Sequence, residues 1–172
     1  HEHIDHVRAL GTLQKKHAVP LYASFGTAAA ISYPAPYLHA FAADEAFTIK
    51  DLQIRSFRTS HDAKESVGYR IESSDGSLAV LTDTGFITDD AHDAALGADM
   101  LLLESNHDVI MLKNGGYPYY LKQRILGNRG HLSNENSGRL LSRVLHDNLK
   151  KVILGHLSQE NNLPELAYET VR

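Results

Sequence analysis

The chain opens His1-Glu2-His3-Ile4-Asp5-His6. In an extended segment side chains two apart face the same way, so His1 and His3 can grip one cation. Asp5 and His6 arrive as the chain turns into a helix, where Val7, Leu10 and Leu13 keep helical spacing as far as Lys15-Lys16-His17. There they can hold a second cation a few ångströms from the first. The plain alternative is a solvated histidine-rich terminus or the remnant of an expression tag. A tag, however, does not supply an aspartate at that spacing followed by an amphipathic helix. Histidine makes up 11 of the 172 residues, and it is the commonest metal ligand and the usual proton carrier near neutral pH.

Outward from that hexapeptide the chain reads as strands first, then strands alternating with helices. Residues 19–23 have the character of a short strand, and 27–32 form a brief helix stopped by Pro34 and Pro36. Residues 47–49 and 52–57 read as strands, the second leading to His61, and Val67, Tyr69 and Ile71 alternate along a further one. Asp75-Gly76 is a hairpin turn that returns the chain through 78–81 to Asp83. A helix over 88–96 is closed by Gly97, and Met100-Leu101-Leu102-Leu103 is a continuous apolar run, as in a strand buried on both faces. Pro118 starts a helix through Ile125, Ser133 caps another reaching Asn148, and 151–154 make the last buried strand before Gly155-His156. The order implies an α/β layered fold, a mixed sheet covered by helices. His61, Asp83, Glu104 and His156 each follow a strand. In such folds sites form where strand ends open into loops.

The length is that of one domain, here residues 1–172, large enough to bury a core. No apolar run approaches a membrane span, and no basic-then-apolar opening reads as a secretory signal. The absence of cysteine excludes disulfides and thiolate zinc sites and fits a cytoplasmic protein. The formal charge of −4 argues against a surface coated in basic residues, but the charge is unevenly spread. Residues 113–143 hold six basic side chains (Lys113, Lys122, Arg124, Arg129, Arg139, Arg143) against Glu135, so this stretch is +5 and the remainder −9. Two bound divalent cations would offset much of that acidity.

The opening motif resembles the His-x-His-x-Asp-His signature of the metallo-β-lactamase superfamily. Thr59-Ser60-His61-Asp62, Thr82-Asp83-Thr84-Gly85 and Leu154-Gly155-His156-Leu157-Ser158 supply, in order, the third histidine, the bridging aspartate and the last histidine of that family's pattern. Each taken alone could be an ordinary polar residue at a strand end. Glu104-Ser105-Asn106-His107-Asp108, Gly116-Tyr117-Pro118-Tyr119-Tyr120-Leu121-Lys122 and Gly130-His131-Leu132-Ser133-Asn134 resemble one branch in particular. That branch is the bacterial metallo-β-lactamase-fold DNA exonucleases encoded beside a cell-wall-regulating two-component system. Ile4 stands where this branch often has a small polar residue. The resemblance implies an αββα sandwich with strands before the first motif. Because the motif here opens at residue 1, the sandwich is expected to be incomplete at its N-terminus, with an exposed sheet edge.

The resemblance also implies a dinuclear centre of zinc or manganese, with His1, His3, His61 and Asp83 on one ion and Asp5, His6, Asp83 and His156 on the other. Two such ions about 3.5–4 Å apart would share a hydroxide and hold a scissile phosphate against it. By resemblance to the superfamily's tRNA-maturing nucleases, His131 would face the phosphate and Glu104 would orient it. Asp83, His131 and Glu104 are thus the expected catalytic residues. The tyrosines of the +5 stretch lie among its cations, and stacking faces beside phosphate-tracking charges suit a nucleic-acid strand. Tyr119, Tyr120, Lys122, Arg124, His131, Ser133 and Asn134 are the expected substrate contacts. The bland reading is a loop packed by tyrosines with solvated charges around it. The implied activity is 5′-to-3′ DNA exonuclease action. A small ester or thioester hydrolase on the same metals, or a non-catalytic metal-binding fragment, are the alternatives.

Overall fold

A computed structural model describes residues 1–32 and 36–172. The opening histidines lead into α1 (Ile4–Val7) and α2 (Leu10–His17), a helical stretch broken at Arg8-Ala9. A two-stranded parallel sheet follows, made of β1 (Leu21–Ser24) and β2 (Leu38–Phe41). Between them lies α3 (Phe25–Ala30), whose first turn is capped by the Ser24 hydroxyl accepting from Thr27 N. The brief helix therefore starts two residues earlier than the sequence suggested. Pro34, expected to stop it, lies outside the described residues. Strand β2 was not anticipated from the sequence, because only Phe41 of its four residues is buried and no alternation marks it.

The main sheet has six strands in chain order: β3 (Ala46–Ile49), β4 (Leu52–Arg58), β5 (Val67–Ser73), β6 (Gly76–Leu81), β7 (Met100–Glu104) and β8 (Lys151–Gly155). The first four form an antiparallel meander, while β6, β7 and β8 run parallel. The β5–β6 turn is Ser74-Asp75, one residue earlier than expected. Gly76, at φ +143°, pairs with Ser73 and opens β6. Parallel strands need long crossovers, and helices supply them. Thr88 caps α4 (Asp89–Ala95) between β6 and β7. Between β7 and β8 come α5 (Val109–Asn114), α6 (Tyr119–Leu126) and α7 (Asn134–Val144), and α8 (Pro164–Val171) ends the chain. Helix α7 stops at Val144, short of the expected Asn148, and His146 Nε2 meets Ala98 O just beyond.

On one face of the main sheet Phe57, Ala79, Leu81, Leu101 and Leu103 meet Ala91, Ala94 and Ala95 of α4 and Leu140 and Val144 of α7. Gly68 is required here, since the Phe57 ring lies 2.5 Å from where its Cβ would be. On the other face Phe47 stacks on Tyr22, and Phe41 packs against Phe47 and Tyr69, joining the small sheet to the large one. Strand β7 corrects the expectation of a strand buried on both faces. Leu101 and Leu103 are fully buried, whereas Met100 and Leu102 are only half-buried. The result is an α/β layered fold, helices on a six-stranded mixed sheet with a second small sheet against its other face.

This topology decides where the chemistry lies. Strand β4 is antiparallel to β5 and β5 to β6, so β4, β6, β7 and β8 all point the same way. Their C-terminal ends therefore share one edge of the sheet. Those ends lead to His61, Asp83, Glu104 and His156.

Candidate metal centre

The residues expected to bind cations converge. His1, His3 and His61 each offer a nitrogen within 4.8 Å of the others. So do ligand atoms of His1, His6 and Asp83, of Asp5, His6 and His156, and of Asp83, Glu104, His131 and His156. Adjacent rings lie close, with centroids 4.2 Å apart for His1 and His6 and 5.9 Å for His6 and His156. Asp83 is in the middle: Oδ2 is 3.2 Å from His6 Nε2, and Oδ1 is 3.5 Å from His156 Nδ1 and 3.9 Å from His61 Nε2.

The backbone accepts strain to aim two of these side chains. Asp83 and His156 hold left-handed conformations, φ 57° and 56°, just past the ends of β6 and β8. Each such conformation in a non-glycine residue costs roughly 1–3 kcal/mol and persists only where surroundings enforce it. The enforcement is visible. Thr84 N donates to Glu104 Oε2, Gly85 N to Ser60 O, and Ser60 N to the Thr84 hydroxyl, joining the loops after β4, β6 and β7. Asn106 Nδ2 donates to His156 O. Gly85 and Gly130 allow close loop contact, since a Cβ at either would run into backbone 2.2–2.4 Å away.

Glu104, the last residue of β7, is wholly buried and fully used. Its Oε1 accepts from His131 Nδ1 and His156 Nδ1, both at 2.8 Å, and its Oε2 accepts from the backbone of Thr84 and Leu132. Burial alone would raise its pKa, but the two imidazoles and the backbone donors hold it below the usual carboxylate range. For Asp83 too burial is outweighed, by the His6 hydrogen bond and the charges of His156, His6 and His131. His156 is pushed up to about 9, chiefly by its bond to Glu104 against the opposing effect of burial. His61 goes the other way: burial lowers it, only partly opposed by its Nδ1–H bond to Gly130 O at 2.9 Å.

The donor set fits divalent cations. With Nδ1–H engaged by Gly130, His61 turns Nε2 toward His3 Nδ1, 3.3 Å away, and the nearby His1 Nε2 is buried without a partner among the described residues. Three ring nitrogens within 4.8 Å of one another are what a cation between them would satisfy. On the other side Asp5, His6, His156 and Asp83 supply carboxylate and imidazole together. Imidazole and carboxylate without thiolate is a donor set for divalent cations.

The expected substrate residues divide. His131, 20% exposed at its side chain, sits against Asp83 and Glu104 and opens into a cleft of about 390 Å³ that also takes in His156, Tyr117, Leu121 and Arg124. Tyr119 and Tyr120 are 77% and 74% exposed. Lys122 Nζ donates to Lys113 O, and Arg124 is paired with Asp62, so neither is the free cation the sequence suggested. Arg129 likewise donates from Nε and Nη2 to His61 O. Ser133 caps α7, and Asn134 is fully buried, bonded to Ser105 and Asn162. Asn134 is thus part of the scaffold behind the site. Sequence reasoning missed Asp62 as a residue of the cleft, whereas Tyr117, one of the three tyrosines noted among the cations, lines it. The position of Asp62 directly after His61 was the available signal.

A histidine–carboxylate centre at the end of a layered α/β sheet defines a metal-dependent hydrolase class. Residues 1–156 match the β-lactamase superfamily domain, and the chain belongs to that family. It is 42% identical to the exodeoxyribonuclease WalJ of Streptococcus pneumoniae (strain D39) over 179 residues, covering 99% of this chain and 66% of that protein. It is 38% identical to the exodeoxyribonuclease YycJ of Bacillus anthracis over 176 residues, covering 99% and 67%. The chain thus spans about two thirds of the length of these curated relatives. Among solved structures, the metallo-β-lactamase fold protein YhfI of Bacillus subtilis superposes with a TM-score of 0.73 at 19% identity, covering 99% of this chain and 67% of that one. The zinc-bound PqqB of Methylobacterium extorquens gives 0.69 at 22%, covering 93% and 61%.

Proposed function

We propose that residues 1–172 act as one hydrolase domain, a dinuclear metal-dependent phosphodiesterase that degrades DNA from an end, 5′ to 3′, in the cytoplasm. The observation that carries this reading is the cleft. Its lining runs from His131 and His156 to Tyr117 and to Leu121, Arg124 and Ile125 of α6, so a strand lying against Tyr117 and Arg124 would reach the clustered ligands. Two relatives sharing 38–42% identity with nearly the whole chain are named exodeoxyribonucleases, which supports the same reading.

His1, His3 and His61 with Asp83 would hold one cation, and Asp5, His6 and His156 with Asp83 the other. Bound there, the cations supply charge neutralisation and nucleophile activation. The chain's own groups do the rest. Glu104 Oε1 accepts His131 Nδ1–H, which fixes the ring and leaves Nε2 for the leaving oxygen. A proton carried at Nε2 then faces that oxygen. That proton passes to the departing sugar oxygen as the phosphodiester breaks. No helix among the described residues is long and apolar enough to cross a membrane.

The test is incubation with end-labelled duplex DNA, single-stranded DNA and RNA, in zinc and in manganese. Mononucleotides released progressively from DNA ends are the expected result. Hydrolysis of a nitrophenyl ester with no DNA turnover would transfer the assignment to a small-molecule hydrolase. Bound metal with no turnover on either substrate would leave a metal-binding fragment.

A further inference from the structure

The residue after the metal-centre histidine is engaged by the helix across the cleft. Asp62 Oδ2 accepts from Arg124 Nε and its Oδ1 from Nη2 at 3.1 Å, a bidentate pair. The Arg124 side chain is 53% exposed and that of Asp62 28%. An ion pair this open to water contributes little to folding. Both residues line the cleft that contains His131 and His156. A guanidinium has five N–H donors in a planar fork, of which this pairing takes two. The Nη1 and Nη2 donors left over form a second fork, matched to two oxygens of a phosphate.

We propose that Asp62 is a positioning residue, holding Arg124 so that this second fork faces a phosphate of the substrate lying in the cleft. The inference rests on the phosphodiesterase reading above. Helix α6 buries none of its residues, so nothing else in it fixes the long Arg124 side chain. Asp62 is well placed to fix it, because its backbone position is set by His61, itself clamped by Gly130 O and Arg129. The competing role for Asp62 is ligation. Its Oδ1 is 3.5 Å from His61 Nε2 and 3.9 Å from His3 Nε2, and turning away from Arg124 would bring it toward a cation there.

The two roles separate in a double-mutant cycle on the metal-loaded chain. Asp62→Ala, Arg124→Ala and the double variant are compared for metal content, thermal unfolding, and kcat and KM. The substrates are single-stranded DNA and the small diester bis(4-nitrophenyl) phosphate. Affinity for a short oligonucleotide is read in parallel by fluorescence anisotropy. Each single variant should raise KM and the dissociation constant about tenfold, as for a lost charged hydrogen bond. Two metals per chain should remain, with kcat within about threefold of the parent. The double variant should be no worse than Arg124→Ala alone. Arg124→Lys should behave like Arg124→Ala, because an ammonium cannot serve Asp62 and a phosphate through two forks. Additive losses would overturn the proposal, as would loss of a metal in Asp62→Ala. Asp62→Asn, close to isosteric, repeats the cycle should the alanine variant fold poorly. The parent's turnover on DNA tests the nuclease reading separately. If DNA is not a substrate, the cycle on the small diester still decides the role of Asp62.

Discussion

Asp83 and His131 lie within 3.8 Å of each other but do different work. Among the described residues Asp83 alone brings oxygens toward His6, His61 and His156 together, so replacing it would remove the proposed bridge of the centre. Asp83→Ala should abolish activity and lower metal content. His131→Ala should keep its metal and lose activity by roughly 10²–10⁴-fold, the usual effect of a missing proton donor. Metal analysis beside turnover checks both, and equal metal loss would make His131 a ligand. Another histidine, His107, belongs to none of the clusters of possible ligands among the described residues. His107 is 1% exposed, neither ring nitrogen has a partner among the described residues, and burial lowers its pKa to about 4. Below the unfolded value near 6.5 the unfolded chain takes up a proton that folded His107 refuses. Its neutral form therefore contributes stability that is full above pH 6.5 and lost as pH falls toward 4. The loss amounts to at most about 3 kcal/mol. Denaturant unfolding at pH 7 and pH 5 should show a smaller pH dependence in His107→Asn than in the parent, and equal slopes would exclude the assignment.

Helix α6 shows how element-scale design separates binding from folding. None of its residues is buried, and Tyr119 and Tyr120 point their rings to solvent. Replacing either tyrosine should therefore leave the unfolding temperature nearly unchanged. It should weaken single-strand binding by roughly 1–3 kcal/mol if the ring stacks on a base. Lys122→Ala together with Arg124→Ala should flatten the dependence of log binding on log salt by about one to two units, since each neutralised phosphate releases counterions. Titration of short DNA at several salt concentrations reads this directly, and an unchanged slope would return the helix to a solvated face. At this scale the sequence was legible where pattern and cap agreed. Ser133 and Thr88 announced α7 and α4, and the apolar runs announced β7 and β8. It was less so at α5, which the sequence reading left unassigned, although the Asp108 side chain accepts from Met111 N and caps the helix locally. Charges were the least legible, because linear spacing shows a cation but not the carboxylate across the cleft that pairs with it.

In the whole molecule the metal centre is also a joint between segments far apart in sequence. The order of His61, Asp83 and His156 was readable because β4, β6 and β8 end on one sheet edge and each of these residues follows its strand by one to three positions. What could not be read was how much of the fold the centre itself holds. The first seventeen residues bury only Val7 and Gln14. Their links to the main sheet include His3 to His61, His6 to Asp83, Asp5 to His156, and Glu2 to Lys64 N. Most of these are contacts between the side chains proposed to hold the cations. Strands β4 to β8 instead rest on a dry core of Phe57, Leu81, Leu101 and Leu103. Removing the cations should therefore loosen one end of the molecule and spare the other. A cation bound only by the folded state stabilises it by RT ln(1 + [L]/Kd), about 2.7 kcal/mol at a hundredfold excess over Kd. Hydrogen exchange after chelation should rise through residues 1–17 while the amides of β6 and β7 keep their protection. Restored zinc or manganese should reverse the change. Uniform exchange across the sheet after chelation would mean that the centre supports the whole fold, and protection unchanged in residues 1–17 would mean that the opening helices stand on packing alone.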